Sequence, residues 1–351
     1  MRVALALAFV LFASRFTPLD PATPAFPRDH GSHDGARVEW WYVTGHLADD
    51  AGKRFGYQLT FFRAGLLDEP RSRPRQTSAW AARDLFLAHF ARTDVSAKTF
   101  RYAERAHRSG PGAARAAEER LFVTNEDWRL EELDGKLVLY ARDGADELSL
   151  LLTPEKPLVL HGENGLSRKG PEPEAVSRYV SFTRLASAGS WNGRRVTGTS
   201  WMDHEWGSGS IGKEAAGWDW FALQLADGRD VMLYRMRGKD GAASRLSSGT
   251  VVQRDGRATP LSSSDFTLEE TARWKSPRNG ANYPARWTVR IPKEKLVLDV
   301  VPLVADQELV TDRSTRVTYW EGACDVQGDV AGRAYVELTG YAGAGALGAF
   351  R

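Results

Sequence analysis

From residue 38 onward, apolar and polar positions alternate in short runs punctuated by Gly, Asp and Pro. Runs rich in Val, Leu, Phe, Tyr and Trp fall at 38–47, 57–63, 85–90, 137–141, 148–153, 179–184 and 196–206. They continue at 221–225, 231–237, 287–291, 296–301, 317–320 and 334–341. Runs of this length and period predict β-strands. Turn signals stand between them. Asp134-Gly135, Ala226-Asp227-Gly228-Arg229 and Arg254-Asp255-Gly256 each suit a tight hairpin, where Gly accepts a left-handed backbone. Helical periodicity is thin: only 78–84 and 113–119 predict a turn or two of helix. The profile predicts an all-β fold of antiparallel sheet, closed or sandwiched.

The pattern also recurs. Trp40-Trp41-Tyr42 leads to Leu47-Ala48-Asp49, a turn, and a strand ending at Arg63. Trp218-Asp219-Trp220 leads, at the same spacing, to Leu225-Ala226-Asp227, a turn, and a strand ending at Arg237. The halves close alike. Trp191-x-Gly193 precedes Gly198, Trp201 and Asp203, while Trp320-x-Gly322 precedes Gly332, Tyr335 and Glu337. Two matches in one order predict a duplication. The expected organisation is two tandem β-barrel domains, 30–207 and 208–351, joined across the Gly/Ser-rich stretch 207–217. Ahead of them, 16–29 carries four Pro and predicts an extended lead-in. Residues 1–15 open with Arg2, followed by an apolar run and small residues, the pattern of an export signal. The chain is therefore expected to be periplasmic or secreted.

Composition narrows the function. In 351 residues the net charge is +2, which leaves no electrostatic footprint for nucleic acid. The Arg71-Ser72-Arg73-Pro74-Arg75 cluster reads as a solvated loop. The single Cys, Cys324, excludes an intrachain disulfide. No Gly-x-Ser-x-Gly elbow, Walker loop or dinucleotide fingerprint is present, and no cofactor is expected. His30-Gly31-Ser32-His33 has a metal-like spacing but lacks a convincing third ligand, so no metal is expected either.

The densest candidate chemistry is Trp201-Met202-Asp203-His204-Glu205-Trp206-Gly207. Three ionisable groups between two Trp suit proton chemistry, or a greasy ligand with a polar handle. On a regular strand Trp201, Asp203 and Glu205 face one way, and Met202, His204 and Trp206 the other. The bland alternative makes the Trp residues barrel core, and Asp203, Glu205 and Asp219 structural partners of Arg.

This run, with Glu39-Trp40-Trp41-Tyr42, Gly217-Trp218-Asp219-Trp220-Phe221 and Glu337-Leu338-Thr339-Gly340-Tyr341, resembles the carotenoid 1,2-hydratase and AttH-like family of double lipocalin-like proteins. The likeness spans roughly His30 to Tyr341. It implies two lipocalin-like barrels side by side and a hydrophobic, lipid or isoprenoid ligand. It further implies either hydration or hydrolysis of that ligand, or an exported carrier or chaperone working with an ABC-type exporter. A third possibility is a structural protein without a cavity. By resemblance, His204 and Trp206 point to the ligand and Asp203 pairs outward with Arg. Tyr234 matches a Tyr of the hydratases, but Met236 stands where their acid is expected. Asp203, Glu205 and Asp219 are the substitute acids. The expected catalytic set is thus His204, Asp203, Glu205, Asp219 and Tyr234. Trp206, Trp218, Trp220, Trp40, Trp41 and Tyr42 form the expected ligand-binding set.

Overall fold

A computed structural model describes residues 16–20, 22–66, 82–110, 112–209, 211–212 and 214–343. The expected export signal, 1–15, lies outside the described residues, as does most of the expected helical turn at 78–84. The first sheet holds β1 (Val38–Asp49), β2 (Arg54–Gly65), β3 (Asp84–Asp94), β4 (Thr99–Arg108), β5 (Ala114–Ala116), β6 (Phe122–Asn125), β7 (Trp128–Leu133), β8 (Lys136–Asp143) and β9 (Asp146–Pro154). Two short pieces follow, β10 (Val159–Leu160) and β11 (Leu166–Arg168), then two long strands, β12 (Val176–Trp191) and β13 (Arg194–Gly207). The second sheet holds β14 (Ala215–Leu225), β15 (Asp230–Gly238), β16 (Ser248–Val252), β17 (Ala258–Ser262), β18 (Thr267–Lys275), β19 (Asn282–Ile291), β20 (Leu296–Pro302), β21 (Glu308–Val310), β22 (Thr318–Gly328) and β23 (Gly332–Leu338).

The strand order is β4-β3-β2-β1-β13-β12-β9-β8-β7-β6-β5 in the first sheet and β17-β16-β15-β14-β23-β22-β20-β19-β18 in the second. The sheets are antiparallel, and each curls into a near-closed, barrel-like domain. The repeat is visible in this order. The opening strand of each sheet lies between its hairpin partner and the sheet's last strand: β1 between β2 and β13, β14 between β15 and β23. The registers match too, with Tyr42 opposite Asp203 and Trp220 opposite Glu337.

Alternation assigns the faces. Trp41, Val43, Phe61, Phe90 and Met202 turn inward to the first core, and Phe221, Leu223, Leu233 and Val336 to the second. The opposite sides of the same strands are also apolar, so they pack on each other. Tyr42, Tyr179 and Trp201 of the first sheet meet Trp220, Met232, Tyr234, Ala323 and Tyr335 of the second. Polar ties fix the joint. Arg184 Nη2 and Lys156 Nζ both lie 2.6 Å from the buried Asp230, and Thr183 Oγ1 donates to it at 3.0 Å. A bulge in β12 between Phe182 and Leu185 shifts the register beside Thr183 and Arg184.

The expected helical turn at 113–119 is instead β5, a three-residue strand laddered to β6. Backbone pairing outweighs the helix preference of its alanines. The patterning overlooks β4 and β18, which are edge strands with few buried positions on either face.

Candidate functional site

The outer faces of the two sheets enclose a cavity of about 740 Å³ counting its mouth, of which about 80 Å³ admits the centre of a water molecule. Trp40 and Tyr42 reach it from β1, Thr60 and Phe62 from β2, and His89 from β3. Tyr179 comes from β12, Asp203 and Glu205 from β13, Trp218 and Trp220 from β14, and Tyr234 from β15. Tyr319 and Glu321 on β22, Glu337 on β23, and Lys169 complete much of the wall. An aromatic lining with a few convergent polar groups is the usual build of a site for an apolar ligand.

Four carboxylates stand in this wall, and their surroundings differ. Asp203 accepts hydrogen bonds from Tyr179 Oη at 2.6 Å, Trp201 Nε1 at 2.5 Å and the Ser181 hydroxyl. Burial nevertheless pushes its carboxyl up to about 7. Tyr179 in turn accepts from Trp220 Nε1 at 2.8 Å, and His161 Nε2 lies 2.8 Å from Ser181 Oγ. Glu205 pairs with Lys169 at 2.9 Å, whose ammonium sits 4.3 Å from the centre of the Tyr234 ring. Glu337 accepts from Trp218 Nε1 at 2.8 Å, and burial pushes it up to about 7. Glu321 is the extreme case. Its Oε1 accepts a short hydrogen bond from Tyr42, and its buried Oε2 has no partner. Burial, then the nearby Glu337, hold this carboxyl well above the usual range. A carboxyl in such surroundings stays protonated.

The sequence-based site divides in two. Asp203, Glu205, Tyr234, Trp40, Tyr42, Trp218 and Trp220 line the cavity. His204, Trp206 and Trp41 do not; they lie on the other face of their strands. The expected orientation of β13 is therefore reversed: Asp203 faces the cavity and His204 faces away. His204 Nε2 lies 3.0 Å from Glu39 Oε1, and its ring stacks 4.9 Å from Trp41. Trp206 stacks 4.0 Å from His33, beneath the lead-in segment. The strand stays regular here, so its alternation cannot bring both acid and imidazole to one side. Asp219 also turns away, into the second barrel, where Arg235 Nε (2.7 Å), Arg237 Nε (3.1 Å) and Tyr341 Oη (3.0 Å) hold it. Met236 is buried beside Tyr234, with its sulfur 3.9 Å from the phenol oxygen, so no acid stands there.

Nor does the His30-x-x-His33 spacing bring those two rings to one point. His33 instead meets Glu39 and His204, and the ligand-type atoms of the three all lie within 4.8 Å of one another.

A family model for AttH-like proteins matches residues 17–341. The chain belongs to the AttH-like family. Among solved structures, an AttH protein from Nitrosomonas europaea is 34% identical, with a TM-score of 0.82, covering 93% of this chain and 100% of that one. Kievitone hydratase from Nectria haematococca is similar at 15% identity and a TM-score of 0.66, covering 93% of this chain and 95% of its own. At that identity the likeness is one of fold. No curated protein sequence matches the chain.

Several wall residues of this AttH-like chain carry no motif in the sequence. Lys169 sits in an irregular segment without a spacing rule, as does His161, which stands behind the wall against Ser181. Glu321 does leave a trace: it is a lone carboxylate in the apolar run Tyr319-Trp320-Glu321-Gly322-Ala323-Cys324. It is also the unassigned middle position of the closing Trp-x-Gly repeat.

Proposed function

We propose that this AttH-like protein binds a hydrophobic, isoprenoid- or lipid-like molecule between its barrels and adds water across an isolated double bond, with Glu321 as proton donor. The observation that carries the reading is the buried Glu321 Oε2, unpartnered at the wall of an aromatic cavity. Hydration of an unactivated alkene starts with proton transfer from an acid to one carbon. A carboxyl kept neutral by burial, whose outer oxygen has nothing else to bond, meets that need. The resulting tertiary cation lies among Trp and Tyr faces, each of which stabilises a nearby cation by about 0.5–2 kcal/mol. Water adds to the cation. Asp203, held by three donors in the same wall, accepts the proton that the water loses, and exchange with solvent returns a proton to Glu321. The acid missing at Met236 on β15 is thus supplied by another strand of the same sheet, β22.

The test is incubation with a panel of terpenoids and unsaturated lipids, read by mass spectrometry for a gain of one water. Glu321→Gln keeps the shape and an acceptor for Tyr42 but removes the proton. Turnover by the wild type and its loss in Glu321→Gln, with ligand binding kept, supports the reading. Wild-type protein that binds lipid but changes none of it overturns the reading in favour of the carrier, with an exporter as its partner.

A further inference from the structure

On the far side of β13 from the cavity, three donor groups from separate parts of the chain converge. They are His33 from the segment just before β1, Glu39 from β1 and His204 from β13. His33 Nδ1 is 2.7 Å and His204 Nε2 3.0 Å from the same oxygen, Glu39 Oε1. Glu39 and His204 are buried, while the His33 side chain is 20% exposed, so one edge of the cluster opens to solvent. We propose that His33 Nδ1, Glu39 Oε1 and His204 Nε2 form a binding site for one divalent transition metal of the zinc class.

Four observations support this site. First, two imidazoles and one carboxylate are the donor types that borderline divalent ions prefer, whereas Ca²⁺ and Mg²⁺ ask for oxygen alone. Second, the three atoms are already gathered within 4.8 Å, so an ion entering among them needs only small side-chain adjustments. Third, the outer contacts suit ligation. Asp29 Oδ1 lies 3.5 Å from His33 Nε2, which favours the proton on that nitrogen and frees Nδ1 as a ligand. Arg63 Nε and the His33 amide hold the second oxygen of Glu39, at 3.0 Å each, which leaves Oε1 as the coordinating atom. Fourth, the local charge accepts a cation. The buried Arg63 is matched by Glu39 and by Asp84, 3.0 Å from its Nη1, so the buried group carries a surplus negative charge before Asp29 is counted.

Neither histidine lines the cavity, so the site is separate from the proposed hydration chemistry. An ion there would fasten the segment before β1 to β1 and β13. The solvent-exposed edge at His33 leaves the fourth coordination position for water.

The experiment uses the whole chain, stripped with a chelator and titrated with Co²⁺. Two tryptophans report on the site, since Trp206 stacks 4.0 Å from His33 and Trp41 4.9 Å from His204. The expected result is one Co²⁺ per chain with visible d–d absorption, displacement by Zn²⁺, quenched Trp fluorescence, and a raised Tm. His33→Ala removes a ligand at the partly exposed edge and is expected to lose at least tenfold in affinity and the absorption band. Should His33→Ala not fold, His33→Gln retains a hydrogen-bonding group there while removing the imidazole. Failure of the wild type to bind one equivalent, or equal binding by the folded His33 variant, overturns the proposal and leaves a hydrogen-bonded latch.

Discussion

Glu321 Oε2 is the atom on which most of the proposed chemistry turns. Its worth is measurable: general acids contribute about 10²–10⁴-fold to rate, so Glu321→Gln is expected to lower turnover by that factor while lipid affinity stays within a few-fold. Glu337 offers a second residue-scale test, through stability. Burial pushes its carboxyl up to about 7 in the fold, against an ordinary value of 4.5. Between those values the folded chain holds a proton that the unfolded chain has released. This contribution is fully present below pH 4.5 and is lost as pH rises through 7. The shift corresponds to ~3 kcal/mol at the usual conversion. His89 and His161, pushed down to about 3 by burial, slope the other way, so the wild-type curve alone cannot isolate Glu337. Denaturation of wild type and Glu337→Gln from pH 4.5 to 8 is expected to show the variant gaining relative to wild type as pH rises; parallel curves would refute the shift. Asp203 and Glu205 were readable from composition around a motif, and Tyr234 from the family resemblance. His204 was not placed correctly, because alternation says which residues share a face and not which face meets the ligand.

At the scale of elements, β14 shows how one strand serves two purposes. Trp218 and Trp220 face the cavity, while Asp219 between them faces Arg235 and Arg237 inside the second barrel. Asp219→Ala leaves two guanidinium groups short of a buried partner and is expected to cost about 3–5 kcal/mol of stability by denaturant unfolding. If the folded fraction still binds ligand as the wild type does, Asp219 is structural. A loss of activity at unchanged stability would restore its catalytic reading. The strands with one buried face were legible from periodicity. Edge strands such as β4 and β18 were not, since they bury too few positions to leave a pattern. The hairpin at Ala226-Asp227-Gly228-Arg229 was legible because Gly228, at φ +91°, takes the turn conformation that Gly favours.

For the whole molecule, the joint between the sheets is where fold and site become one object. Tyr42, Trp201, Trp220 and Tyr335 lie in a shared apolar layer, with Asp230 held by Arg184 and Lys156 across it. A protease site placed at 208–212 and then cut is expected to give two fragments that still co-elute on size exclusion. Separation of the fragments would mean that the layer contributes little without the covalent link. The repeat in the sequence foretold two like units; it held nothing about which faces would meet, because packing partners are not local. The matching registers carry one last consequence. Asp203 and Glu337 sit at corresponding places in the two sheets, but their ladder neighbours differ: Ser181 lies opposite Asp203, and Glu321 opposite Glu337. A chamber walled by near copies would greet either end of a guest alike. This exchange of hydroxyl for carboxyl makes the two walls unlike, so on the proposed reading the reacting double bond of a guest lies toward β22 and an elongated guest enters one way round.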